Sequence, residues 1–128
     1  MESLEAKKLI NKIQKGLIKN GIDAEAIVAD LKTLRPYALE EKDPLVTKVI
    51  RMAYEHIEAT GTFDIEQPEE ELDEEDEEIE KEPVDESVDT KVESLDFFLS
   101  LLANSEHKIN RPDITAYKFA FIAYSEDN

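Results

Sequence analysis

Two histidines and no cysteine set the chemical vocabulary of this 128-residue chain. Without thiols there is no disulfide framework, no thiolate zinc site and no cysteine nucleophile. His56 falls on the apolar side of a helical run, between Met52 and Val49. An imidazole there more commonly fills space with one hydrogen-bond partner than serves as a base or ligand. His107 lies in the polar stretch SEHKIN, two residues after Ser105, but that spacing in a loop fixes no nucleophile–base geometry. Two histidines make a metal site only with carboxylates fixed in space, and here carboxylates are too plentiful to discriminate. Gly16, Gly21 and Gly61 are isolated, which excludes a phosphate-cradling glycine loop. An EF-hand needs spaced Asp/Asn ligands and a turn glycine, and residues 64–93 contain no glycine. No catalytic, cofactor-binding or metal-ligating residue is assigned, and no cofactor is expected. An enzyme using His56 is the third of three readings.

Charge is more informative than chemistry. Residues 64–93 hold 17 Asp/Glu against Lys81 and Lys91, a net of −15 out of −17 for the whole chain. Within them, residues 69–82 (EEELDEEDEEIEKE) are 11 acids in 14. Like-charge repulsion at that density opposes compaction, and only Leu72 and Ile79 offer apolar anchors. The expectation is an extended or flexible connector. Duplex nucleic acid is excluded as a partner, because phosphate binding needs an excess of Lys/Arg on the contact face. The opposite charge gathers on the first helix, where Lys8, Lys12, Lys15 and Lys19 fall within about 60° of one another on the wheel. They form either a solvated face, the ordinary use of lysine, or a docking stripe for a polyanion.

The elements that carry these groups read as helices. Ala6, Leu9, Ile10, Ile13 and Leu17 make one arc of a helix from about Ser3 to Asn20, stopped by Gly21. Asp23 caps a second helix with Ala24, Ile27, Val28, Leu31 and Leu34 on its stripe. Pro36 is expected to end or kink it. Asp43 as N-cap, Pro44 in the first turn and Gly61 as stop bound a third helix. Thr90 and Glu93 match a capping box ahead of an apolar arc of Val92, Leu95, Phe98, Leu99 and Leu102. Asn110 and Pro112 open the last helix, with Ile114, Tyr117, Phe121 and Tyr124 on one face and Phe119 and Ile122 on another. A strand is the alternative there, from the alternation of Tyr117, Phe119, Phe121 and Ala123, but only weak Thr62–Ile65 exists to pair with it.

The predicted fold is all-α: a small helical bundle of about five helices with an acidic, extended or flexible connector. Residues 1–63 form a three-helix unit, 64–89 the linker, and 90–128 a helical hairpin that packs on the first unit as one domain. The apolar-rich run from Leu95 to Ala103 is far below the roughly 18–20 residues that cross a bilayer, and the amino-terminal residues lack the apolar core of a signal peptide. A cytoplasmic, non-membrane protein is expected. The leading functional expectation is a protein–protein interaction module whose partner is another protein, a second copy of itself included, with Phe119 and Ile122 as candidate interface. The alternative is an acidic regulator or nucleic-acid mimic that binds a basic partner.

Overall fold

Each amino-terminal helix begins where a short polar side chain takes an otherwise orphaned amide. The Ser3 hydroxyl accepts from the Ala6 N–H at 3.3 Å, Asp23 from Ala26 at 3.3 Å and Asp43 from Val46 at 3.3 Å. These caps open α1 (Leu4–Asn20), α2 (Ala24–Glu40) and α3 (Pro44–Thr60); α4 (Thr90–Ala103) and α5 (Arg111–Asp127) follow. The structure, a computed structural model, describes residues 1–68 and 90–127. Among the described residues there are five helices and no strand. The expected connector lies mostly in residues 69–89, outside the described residues.

Of the two outcomes expected at Pro36, an end or a kink, the first is corrected. Pro36 does not end α2, which runs on to Glu40. Proline removes one intrahelical hydrogen bond, but Leu34 and Ala38 on either side are fully buried, and that packing holds the helix through the break. Thr90 is the first described residue after 68 and is already helical, so the residues that would test its capping box lie outside the described ones. The helical reading of residues 111–127 holds over the strand alternative.

The principal contacts pair α1 with α2, α2 with α3, α3 with α5, α5 with α4, and α4 with α1. Five helices therefore close a ring in the order α1, α2, α3, α5, α4. Short joints make α1/α2 and α2/α3 antiparallel. The α3 and α5 amino ends meet through a bidentate Asp43–Arg111 pair at 2.6 and 3.0 Å, so these two helices run parallel. One end of the ring carries the α3, α5 and α1 starts; residues 61–68 and Thr90 lie at the other.

Inside the ring sits one apolar core that takes side chains from all five helices. Phe63, Phe98, Tyr117 and Phe121 form its aromatic centre, with Phe98 and Tyr117 rings 4.9 Å apart. Phe63 and Ile65 are buried although they follow α3, so the residues leaving α3 still belong to the core. The Tyr117 hydroxyl donates to the Ser94 carbonyl at 2.9 Å. Its single proton is thereby used, so the Ser94 hydroxyl donates back to it at 3.0 Å. Burial pushes the Tyr117 phenol up to about 12, and it stays a neutral donor.

The ring is also fastened at the end that carries the α1, α3 and α5 starts by the α-amino group of Met1, whose residue is 2% exposed. It donates to the Leu102 and Ala103 carbonyls at 3.1 and 3.2 Å, to Ser105 Oγ at 2.8 Å and to Glu106 Oε2 at 2.9 Å. The two carbonyls lie in the last turn at the negative end of α4, where a cation is favoured; that of Leu102 also accepts the Ser105 N–H at 3.3 Å. The hydrogen bond from this ammonium holds the Glu106 carboxyl below its usual value.

Candidate binding grooves

Histidine chemistry is constrained by what His56 already does. Its side chain is buried on α3, and its Nε2 accepts the Asp64 backbone N–H at 2.9 Å. A nitrogen that accepts carries no proton, so the neutral ring holds its proton on Nδ1. Burial lowers the His56 pKa, with the Asp64 carboxylate opposing in part. The ring packs edge-on against Phe63 at 5.9 Å and Tyr124 at 4.7 Å. It thus ties the segment after α3 to the core, and use of Nε2 as a base would give up that tie. Ser105 and His107 are not brought together as a pair: Ser105 is buried and holds the Met1 amine, while His107 is exposed. Among the described residues, no group of three or more His, Asp or Glu is placed to hold a metal ion, and no helix is long and apolar enough to cross a membrane.

The lysine stripe of α1 faces outward, with Lys8, Lys12, Lys15 and Lys19 all exposed. Lys12 reaches Asp30 of α2 at 3.3 Å, an exposed pair of the kind worth little. The two candidate interface residues point to different places. Phe119 is 60% exposed, with Lys118 Nζ 5.6 Å above its ring. Ile122 is half-buried and lines a groove of ≈ 500 Å³ between α3 and α5, beside Met52, His56, Phe121 and Tyr124.

A second groove, of ≈ 530 Å³, follows the seam between the end of α2 and the start of α3. Arg35, Leu39 and Lys42 line it from one side; Thr47, Lys48 and Arg51 line it from the other. Leu39, 53% exposed, lines it together with four cations. Its one acid, Asp43, is neutralised from behind. Burial works to raise the Asp43 pKa, but the Arg111 guanidinium and the Val46 amide outweigh it and hold the carboxyl below its usual value. Among the described residues Arg35, Lys42 and Lys48 form no ion pair; Arg51 reaches only Glu55, at 3.7 Å on the exposed face of its own helix. The Nε of Arg35 is buried with no hydrogen-bond partner.

The turn that shapes this groove is unusual in its residue. Lys42 donates to the Leu39 carbonyl at 3.1 Å and Asp43 to the Ala38 carbonyl at 3.2 Å, the paired bonds that close a helix through a left-handed residue. That residue is Lys42, with φ 55°, the only non-glycine at positive φ among the described residues. Glycine takes this conformation without the Cβ penalty, and Gly61 does take it after α3, at φ 73° and ψ 6°.

Sequence reading passed over this groove because its residues belong to three elements. The signal was present in part: Arg35 and Leu39 are spaced i, i+4 along α2, and Lys48 and Arg51 are i, i+3 along α3, while Lys42 falls in the turn between the two helices. The neutralisation of Asp43 by Arg111, 68 residues away, had no local signature.

Comparison of the chain with protein-family models, curated proteins and solved structures finds no match.

Proposed function

We propose that this chain is a protein–protein interaction module that receives a segment of another protein in the α2–α3 groove. The observation that carries this reading is an exposed leucine in a groove lined by four cations, on a fold whose described residues are otherwise net acidic. Apolar contact at the centre with charge at the rim is the arrangement of a protein-binding patch. A binding protein rather than an enzyme, in the cytoplasm, is part of this proposal; the cysteine-free, charge-rich composition supports that setting.

The test is quantitative capture from native lysate by the full chain, by Leu39→Asp and by Lys48→Glu. A partner that depends on the groove is retained by the wild type and lost by both variants, each of which replaces an exposed or half-exposed side chain. The same proteins bound equally by all three would overturn the reading. The acidic composition of residues 69–82 supports a second reading, an acidic regulator that occupies a basic partner's anion site. It predicts salt-sensitive capture that survives both groove substitutions.

A further inference from the structure

The groove's chemistry specifies its ligand more narrowly than "a protein". We infer that it binds an acidic linear segment of a partner protein: Lys42, Lys48 and the unpartnered Arg35 engage its carboxylates, and Leu39 engages an apolar side chain between them. This inference rests on the reading of the groove as a docking surface.

Three features carry it. First, Arg35 lines the groove with no ion pair among the described residues, so its guanidinium is a cation there without a counter-charge. Guanidinium also matches carboxylate in a fork geometry that favours such a ligand. Second, the turn holds a lysine where backbone conformation favours glycine. Strained positions persist where the side chain serves a purpose the backbone does not, and here the side chain adds a cation to the rim. Third, the pairing of Asp43 with Arg111 offsets the one negative charge among the lining residues.

The ligand comes from another molecule. The chain's own acidic residues 69–82 are tethered by residues 68 and 90, whose neighbours meet where Gln67 Nε2 donates to the Glu93 carbonyl at 3.4 Å. That point is on α4, across the ring from the α2–α3 seam and at the opposite end. The 21 residues 69–89 reach about 35 Å out and back when fully extended. The path to the groove combines about 20 Å along the helix axis with about two helix widths of about 10 Å around it, a diagonal of about 28 Å. The doubled-back tract therefore reaches the groove only near full extension, with length for about four residues in it; a segment of another protein meets no such limit.

The probe is a fluorescent peptide with the sequence of residues 69–82, which supplies carboxylates with Leu72 and Ile79 among them. Anisotropy titrations use the full chain and compare this peptide, its Glu→Gln and Asp→Asn counterpart, and inorganic phosphate as competitor. The expected result is saturable binding of the acidic peptide alone. It should weaken on the order of tenfold in Arg35→Gln and in Lys42→Gly, the loss of one charged hydrogen bond, and be unchanged in Lys12→Gln. Lys42→Gly should melt no lower than the wild type, which separates lost binding from lost folding. Equal affinity in wild type, Arg35→Gln and Lys42→Gly overturns the inference. Displacement by phosphate at equimolar concentration also overturns it, by assigning the site to small anions. A form of the chain with the acids of 69–82 replaced by amides controls for self-competition. Peptide binding seen only there still supports the groove's chemistry, and binding in neither form overturns it. Should the peptide fail while a lysate partner is still lost with Lys48→Glu, the ligand class is wrong and the module reading stands.

Discussion

The same side-chain type does different work at different positions. Lys12 and Lys42 are both exposed, yet one extends from a regular helical face and the other occupies a left-handed turn. Loss of Lys12 removes one exposed ion pair, so Lys12→Ala should change stability by no more than about ±0.5 kcal/mol. Phe98, fully buried against Phe63, Tyr117 and Phe121, is the contrasting case. Phe98→Ala should cost about 3–5 kcal/mol through lost contacts and a residual cavity. Urea melts of the two variants check both; equal effects would mean the helix faces are misassigned. Glu106→Ala lies between them, because it leaves a buried ammonium with three of its four acceptors. A loss of about 1–3 kcal/mol is expected, read in the same melts.

At the scale of elements, what was legible in the sequence tracks how local the cause is. The limits of α3 follow from Asp43, Pro44 and Gly61, each acting within one turn, and the structure has them there. The inward faces of α1 and α2 also follow from period 3.6, with Ile10, Ile13, Leu31 and Leu34 buried as expected. The end of α2 was not legible, because a local rule about Pro36 competes with burial that only the assembled ring supplies. The burial of Met1 and the Asp43–Arg111 pair were invisible for the same reason: their partners lie about a hundred and 68 residues away. His56 was placed on the correct face, but its partner, the Asp64 amide, follows from the path the chain takes after Gly61. That tie makes the segment sensitive to pH. The folded-state pKa of His56 is lowered from the ordinary 6.5, so the unfolded chain takes up a proton first as pH falls. Stability contributed by neutral His56 is full above that value and declines below it, until the folded protein also protonates. The pairs of Asp43 and Glu106, whose pKa values are lowered from 3.8 and 4.5, are lost only in more acidic solution. Urea midpoints between pH 7.5 and 5.5 should therefore fall in the wild type and flatten in His56→Gln, whose amide oxygen still accepts from Asp64. A wild-type midpoint independent of pH across that range would contradict the assignment of Nε2 as acceptor.

The whole molecule is a charge-divided object. Eight of the fourteen Lys/Arg among the described residues lie on two surfaces, the α1 stripe and the α2–α3 groove, while most of the chain's net negative charge lies in residues 64–93. The sequence displays the first surface openly, as four lysines on one helix face. The second exists only once α2 and α3 are packed and Arg111 has covered Asp43. The two differ in construction: the stripe is regularly spaced and fully solvated, whereas the groove has an exposed apolar centre, an unsatisfied guanidinium nitrogen and a left-handed lysine. Electrostatic attraction alone does not choose between them, because long-range fields steer an acidic ligand to either. The measurement that does choose is an amide and arginine side-chain NMR titration of the full chain with the acidic peptide at physiological ionic strength. Saturable shifts confined to residues 35–51, with the Arg35 Nε–H signal moving most, are the predicted result. Shifts centred on Lys8, Lys12, Lys15 and Lys19 instead, with residues 35–51 unmoved, would contradict it.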